Sequence, residues 1–190
     1  MPPPLDLPFD PIERAGELWE SHFGRSDAMR VATSIMRAQQ LLLARFDAIL
    51  RPHGLTFARY EALVLLHFSR TGSLPLSVIG RRLMVHPTSV TNTIDRLEQQ
   101  GLVERRPNPR DGRGVLAGIT DAGRSVVVRA TGDLMRDGFG LSTYAEDQLA
   151  ELFALLRELR VGAGDFALDP APLDPAPLDL APLDTDTRTS

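Results

Sequence analysis

Residues 76–119 read LSVIGRRLMVHPTSVTNTIDRLEQQGLVERRPNPRDGRGVLAGI. Two helical signals, Leu76 to Met84 and Pro87 to Gln100, flank a tight connection at Val85-His86, and Gly101 ends the second helix. In that second helix Val90, Ile94 and Leu97 stand at i, i+4 and i+7, so one face turns inward. Thr88, Ser89, Asn92, Arg96 and Gln99 project from the opposite side, with Thr91 beside them. Two strand-like runs follow, Leu102 to Arg106 and Val115 to Ile119. Between them Pro107 to Gly114 has the Pro, Asn, Asp and Gly content of a hairpin loop. A short helix, a turn, a second helix and a basic hairpin, in that order, predict a winged helix-turn-helix.

The flanking segments are helical. Pro11 to Gly24 reads as a short helix with Asp10 as N-cap. Asp27 to Arg51 reads as a long one, with Leu42, Phe46, Ile49 and Leu50 on one face and Pro52 as its stop. Thr56 is expected to cap a third helix, Phe57 to Thr71, closed by Gly72. Thr120 caps Asp121 to Phe139, and Tyr144 to Arg160 carries Leu149, Leu152, Phe153, Leu156 and Leu159 as a stripe. The fold class is therefore mainly α with a small β-wing. After Gly162 the unit Leu168-Asp169-Pro170-Ala171-Pro172 recurs nearly every five residues, which predicts a disordered acidic tail, either simply solvated or bound by a partner.

Composition narrows the function. The chain contains no cysteine, which excludes disulfides, thiolate metal sites and cysteine nucleophiles. The start of the sequence lacks a basic-then-apolar signal, and no apolar run approaches the about 20 residues of a membrane span. The expected location is the cytoplasm. His22, His53, His67 and His86 are scattered without metal-ligand spacing, and there is no Gly-rich phosphate loop and no paired-carboxylate motif. An enzyme, a metal site and a cofactor are not expected. All 21 basic residues are arginine, a bias that codon usage in a GC-rich genome explains ahead of function. The net charge of −4 is unevenly spread. Residues 165–190 carry six Asp and one Arg, net −5, whereas residues 70–129 carry ten Arg and five acids, net +5. A basic stretch in an acidic chain is the footprint of a nucleic-acid binder.

The polar face of the second helix has the chemistry to read a major groove. Asn and Gln pair with adenine, hydroxyls reach bases or phosphates, and Arg96 reaches phosphate or guanine. Such a face taken alone equally describes an ordinary amphipathic surface helix. The hairpin adds Arg105, Arg106, Arg110 and Arg113 around a tip able to enter a narrow minor groove. Asp111 either orients Arg113 or serves as a plain turn residue. One reading head makes few contacts, so two heads on a pseudo-palindrome, about 34–36 Å apart, are expected. The apolar stripes on the outer helices either form that dimer or fill an intramolecular core.

The run from Ser89 to Glu98, then Gly101-Leu102-Val103, Arg110-Asp111-Gly112-Arg113, Leu116 and Ile119 to Gly123 resembles the multiple-antibiotic-resistance regulator (MarR) family, over about Met29 to Leu159. Family wings usually read Asp-Pro-Arg-Asp where this chain has Asn108-Pro109-Arg110-Asp111. The resemblance implies an intertwined helical homodimer, double-stranded DNA with a pseudo-palindromic operator as partner, and Arg113 as the minor-groove reader. It divides the chain into an extension (1–26), dimerisation helices (27–55 and 120–162) around the winged helix-turn-helix (56–119), and the tail (163–190). It also implies release from DNA by a small anionic, carboxylate or phenolic effector. The effector candidates are Trp19, Arg30, Arg45, His53, Arg59, Tyr60 and His67, where a guanidinium lies beside an aromatic ring. Trp19 on an extra helix is similar to a urate-responsive branch, but that branch usually has aspartate at the place of Glu61, so a carboxylate metabolite is the expected ligand. The residues fit activation as well as repression, and a winged-helix interaction protein is the rival reading.

Overall fold

A computed structural model describes residues 7–108 and 114–166. Seven helices run in the order α1 (Pro11–Phe23), α2 (Asp27–Leu50), α3 (Phe57–His67), α4 (Leu76–Leu83), α5 (Pro87–Gln99), α6 (Asp121–Arg136) and α7 (Glu146–Gly162). Three strands, β1 (Ser73–Pro75), β2 (Val103–Pro107) and β3 (Val115–Ile119), form one antiparallel sheet in the order β1-β3-β2. Val103 pairs with Ile119 and Pro107 with Val115, while Ser73 pairs with Gly118. This is the mainly α architecture with a small wing that the sequence predicts.

The elements begin where side chains satisfy free backbone donors. Asp10 Oδ1 accepts from the Ile12 N–H at 2.8 Å, with Pro11 preset at the first helical position. Thr120 Oγ1 accepts from the Gly123 N–H at 3.0 Å and donates to the Gly101 carbonyl at 2.8 Å, tying the start of α6 to the end of α5. At α3 the expected cap is corrected. Thr56 makes no cap bond, and Asp47 of α2 accepts from the Phe57 N–H at 2.7 Å instead. The α3 helix also stops at His67 rather than Thr71. The chain then turns through Ser69 to Gly72 (φ +64°) into β1, a strand the sequence reading did not predict.

The core joins the reading head to the end of α2 and to α6. Leu50, Leu63, Leu66, Ile79, Ile94, Leu97 and Leu134 are fully buried, joined by Val90, Val103 and Ala117. The outer helices are different. Only Phe46 and Leu50 of α2 are buried, while Val31, Met36 and Leu41 lie open along it. No residue of α7 is buried, and Phe153 is 62% exposed. α1 rests on α2 where Arg30 crosses Gly16: a Cβ on Gly16 would stand 1.9 Å from Arg30 Nε. Ser26, fully buried at this joint, donates to Glu20 at 2.5 Å.

Three contacts bind α2, α3 and the turn between them to α6. Tyr60 and Thr131 share a hydroxyl bond of 2.9 Å, and His53 Nε2 meets Asp133 Oδ2 at 2.7 Å. Arg45 grips Asp137 with Nε (2.8 Å) and Nη2 (2.5 Å). Bidentate guanidinium–carboxylate pairs add directional specificity as well as energy.

Candidate nucleic-acid interface

α4 and α5 form the helix-turn-helix. They approach closely because Gly80 has no side chain: a Cβ there would lie 3.1 Å from Val90 Cγ2 and 3.3 Å from the Val85 carbonyl. The turn is made by Met84 in the left-handed region (φ +53°, ψ +38°), with the Val85 N–H bonded to the Gly80 carbonyl at 3.0 Å. His86 then caps α5, its Nδ1 accepting from the Thr88 N–H at 3.3 Å. Its role as a cap was not read from the sequence, because caps are ordinarily Ser, Thr, Asp or Asn.

On α5, Val90, Ile94 and Leu97 are buried and Thr88, Ser89, Thr91, Asn92, Arg96 and Gln99 are exposed. Thr91 donates back to the Pro87 carbonyl at 3.1 Å, and Arg96 donates to Gln99 Oε1 at 3.3 Å. The remaining polar groups face outward from one helical stripe. Arg81 and Arg82, exposed on α4, add two cations to the helix-turn-helix that the sequence reading did not single out. Neither they nor Arg96 has an ion pair among the described residues.

The wing arginines divide. Arg105, counted above with the DNA-facing cluster, instead pairs with Asp95 at 2.5 Å and with Glu98, both on α5. Its backbone N–H also donates to Glu98 at 3.2 Å. Its spacing from these acids, ten and seven residues, was the available signal. Arg105 thus offsets one of the two negative charges of the recognition helix and holds β2 against it. Arg106 is 62% exposed and pairs with Glu104. The Asn108 N–H donates to the Gly114 carbonyl at 2.9 Å, closing the base of the hairpin. Arg110, Asp111 and Arg113 lie outside the described residues.

The seven effector candidates do not meet in one cavity of the protomer. Trp19 stacks on Phe23 of its own helix at 4.9 Å, and Arg30 lies over Gly16 with its Nε buried and unpaired. Arg45, His53 and Tyr60 are engaged with α6, as described above. His67 sits at the far end of α3, its Nδ1 buried without a partner, and burial together with Arg124 lowers its pKa. Arg59 lines a surface cleft of about 310 Å³ with Asp47, Arg51, Gly54, Leu55 and Thr56. Arg51 is the cation in this cleft that the sequence reading passed over. A smaller cleft of about 60 Å³ lies under α5, between Glu61, Ile79, Leu83, Val85 and Thr93, and burial raises the pKa of Glu61. Among the described residues, no group of His, Asp and Glu is arranged to hold a metal, and no helix is long and apolar enough to cross a membrane.

Comparison with known proteins agrees with this geometry. The MarR family model matches residues 53–114. The chain is 30% identical over 129 residues to YhbI, an HTH-type transcriptional regulator of Bacillus subtilis, covering 68% of this chain and 77% of that protein. Among solved structures, Sco5413, a MarR family transcriptional regulator from Streptomyces coelicolor, is 63% identical with a TM-score of 0.69, over 73% of this chain and 96% of that one. Sco3205 from the same organism, solved in complex with DNA, is 26% identical with a TM-score of 0.65, over 70% of this chain and 88% of that one. The chain therefore belongs to the MarR family of transcriptional regulators.

Proposed function

We propose that the protein is a homodimeric repressor that reads a pseudo-palindromic operator and leaves it when a small carboxylate or phenolate binds. The observation that carries this reading is the exposed polar stripe of α5, Ser89, Asn92, Arg96 and Gln99, together with exposed Arg81 and Arg82 on α4, while Arg105 offsets part of the helix's own acidic charge. In the proposed complex α5 lies in the major groove, with Asn92 and Gln99 toward bases and the arginines toward phosphates. Arg113 enters the minor groove beside it.

A dimer is the natural cover for the open apolar surface of α1, α2 and α7, where Leu18, Val31, Met36, Leu41, Phe153 and Leu159 are each more than half exposed. Exposed apolar area on this scale marks an interaction surface. A two-fold axis through it sets the two α5 helices one helical turn apart, about 34–36 Å. For the effector, the cleft of Arg51, Arg59 and Thr56 offers guanidinium donors to an anion at the joint of α2 and α3. Such a ligand acts by binding one spacing of the heads more tightly than the other.

In vitro selection from a random duplex pool tests the reading. The selected sites are expected to be inverted repeats with half-sites one turn apart, bound with an affinity that falls steeply with salt. Selected sites without two-fold symmetry, or a salt-independent affinity, would refute it. A thermal-shift screen of small carboxylates and phenolates, followed by competition against the selected duplex, tests the effector; stabilising ligands that leave DNA binding untouched would refute that part.

A further inference from the structure

The reading head carries an apolar edge as well as charge. Met84 is 77% and Val85 40% exposed, and both follow directly on Arg81 and Arg82. Two exposed cations and two exposed apolar side chains thus stand within five residues, at the end of α4 and in the turn after it. Residues 167–190 carry the complementary pattern. Leu-Asp pairs recur at 168–169, 173–174, 178–179 and 183–184, in a segment of five Asp and one Arg, net −4.

We propose that this Leu-Asp segment docks on the Arg81–Arg82–Met84–Val85 rim and competes with DNA for the reading face. A docked pair sets its leucine on Met84 or Val85 and its carboxylate on Arg81 or Arg82, and the four pairs are interchangeable occupants of the one rim. Three observations favour this occupant. First, the cations nearest the segment's origin are engaged: Arg157 and Arg160 lie over the Phe166 ring at 5.2 and 5.4 Å, and Arg160 faces Asp165 at 3.9 Å. Second, Arg81, Arg82 and Arg96 have no carboxylate partner among the described residues. Third, reach is ample. Twenty-four residues at about 3.1 Å each span about 75 Å, against a diameter of about 40 Å for a domain of this size. A five-residue period spaces the carboxylates about 15 Å apart when extended, wider than the five-residue rim, so one pair seats there at a time and the others raise its local concentration.

Tethering holds the segment at about millimolar effective concentration near the face. Since any duplex must displace it, affinity for every sequence falls by the same factor and the specificity ratio is preserved. The inference rests on the DNA-binding reading above, and the test separates the two. Full-length protein is compared with two variants, one carrying Asp169→Asn, Asp174→Asn, Asp179→Asn and Asp184→Asn, the other carrying Leu168→Ser, Leu173→Ser, Leu178→Ser and Leu183→Ser. Fluorescence anisotropy with a random-sequence duplex of about 24 base pairs is expected to show both variants binding about three- to tenfold tighter at low salt. The difference for the charge variant closes at high salt.

A change of net charge alone also tightens DNA binding, so position is read directly. The chain has no cysteine, so Ala181→Cys carries a single nitroxide. Amide signals of Arg81 to Val85 should broaden at low salt and recover on adding duplex. Absence of broadening overturns the docking, whatever the affinities do. A leucine variant that binds DNA as wild type does overturns the contact with Met84 and Val85. If no protein binds duplex at low salt the DNA reading fails, and the nitroxide signal alone then decides the docking.

Discussion

Replacing Arg105 with methionine separates two roles that the structure gives one side chain. Arg105 is one-quarter exposed, and its partners Asp95 and Glu98 are 44% and 40% exposed. Half-solvated pairs of this kind contribute about 0.5–1 kcal/mol each, so Arg105→Met should cost about 1–2 kcal/mol of stability in urea unfolding. The effect on DNA is separate. The triad changes from one positive and two negative charges to two negative charges, a local shift of one unit on the recognition helix. At about 10 Å in water each phosphate feels about 0.4 kcal/mol from that unit. Three phosphates give about 1.2 kcal/mol before screening; at a distance of about one Debye length screening cuts this to about 0.4 kcal/mol, a loss of about twofold in Kd. Adding Asp95→Asn and Glu98→Gln to Arg105→Met removes the exposed charges without restoring the bonds. That triple variant should recover DNA affinity, measured by anisotropy on the selected duplex, while remaining as unstable as the single variant. An Arg105→Met protein that binds like wild type, or a triple variant that stays weak, would refute the charge argument.

Arg113→Ala should weaken operator binding by about 1–3 kcal/mol with an unchanged unfolding midpoint; equal affinity would remove the wing from the reading mechanism. Met84→Gly relieves a left-handed non-glycine turn at an exposed position and should stabilise the fold by about 1 kcal/mol, read as a raised Tm; a lowered Tm would mean that the Met84 side chain contributes contacts outweighing the strain. Burial raises the pKa of Glu61 above its ordinary 4.5. Below that value the carboxyl is protonated in both states and contributes nothing; above the raised pKa the folded state bears the charge. Glu61→Gln should therefore raise Tm at pH 7 and leave it unchanged near pH 4, and a pH-independent difference would refute the burial argument. The Arg45 bond and charge hold Asp137 below its ordinary 3.8, so this pair stabilises the fold above that pH and the contribution is lost as pH falls through the depressed value. Asp137→Asn should lower Tm at pH 7 and flatten the acid limb of the stability curve, and an acid limb as steep as wild type would assign that slope to other carboxylates.

What was legible in the sequence was what periodicity and punctuation encode. The i, i+4, i+7 spacing of Val90, Ile94 and Leu97 gave the buried face of α5, and Gly101 and the Pro–Asn–Gly content of 107–114 gave the hairpin. β1 was not legible because Ser73–Pro75 is three residues long and contains a proline, tolerated on an edge strand paired only with β3. The end of α3 was overestimated because Phe68 and Ser69 continue a plausible helix, whereas sheet pairing at Ser73 requires the chain to turn before it. The cap by Asp47, the Arg45–Asp137 pair and the His53–Asp133 pair join residues 10, 92 and 80 positions apart. No local pattern marks such partners. Arg45 and His53 therefore looked like available ligand-binding groups when each was already committed to α6.

That commitment bears on how a regulator of this kind would respond. Tyr60 of α3, His53 of the turn before it and Arg45 of α2 reach Thr131, Asp133 and Asp137, so α6 is fastened to both α2 and α3. The fully buried apolar side chains lie in the head, in α6 and at Leu50 near the end of α2, while α7 buries none. The end of α2, the head and α6 therefore share one packed core. On the proposed dimer the softer joint is the one between protomers, made by α1, α2 and α7. The proposed effector cleft beside Arg51 and Arg59 adjoins Asp47, whose carboxylate caps α3, so a tilt of α2 would be felt at that cap and at the Arg45–Asp137 pair. On the proposed reading a ligand there raises Tm, because it binds the folded state, while DNA affinity falls, because the DNA-competent spacing holds the ligand more weakly. A ligand that lowers DNA affinity without raising Tm would refute that coupling.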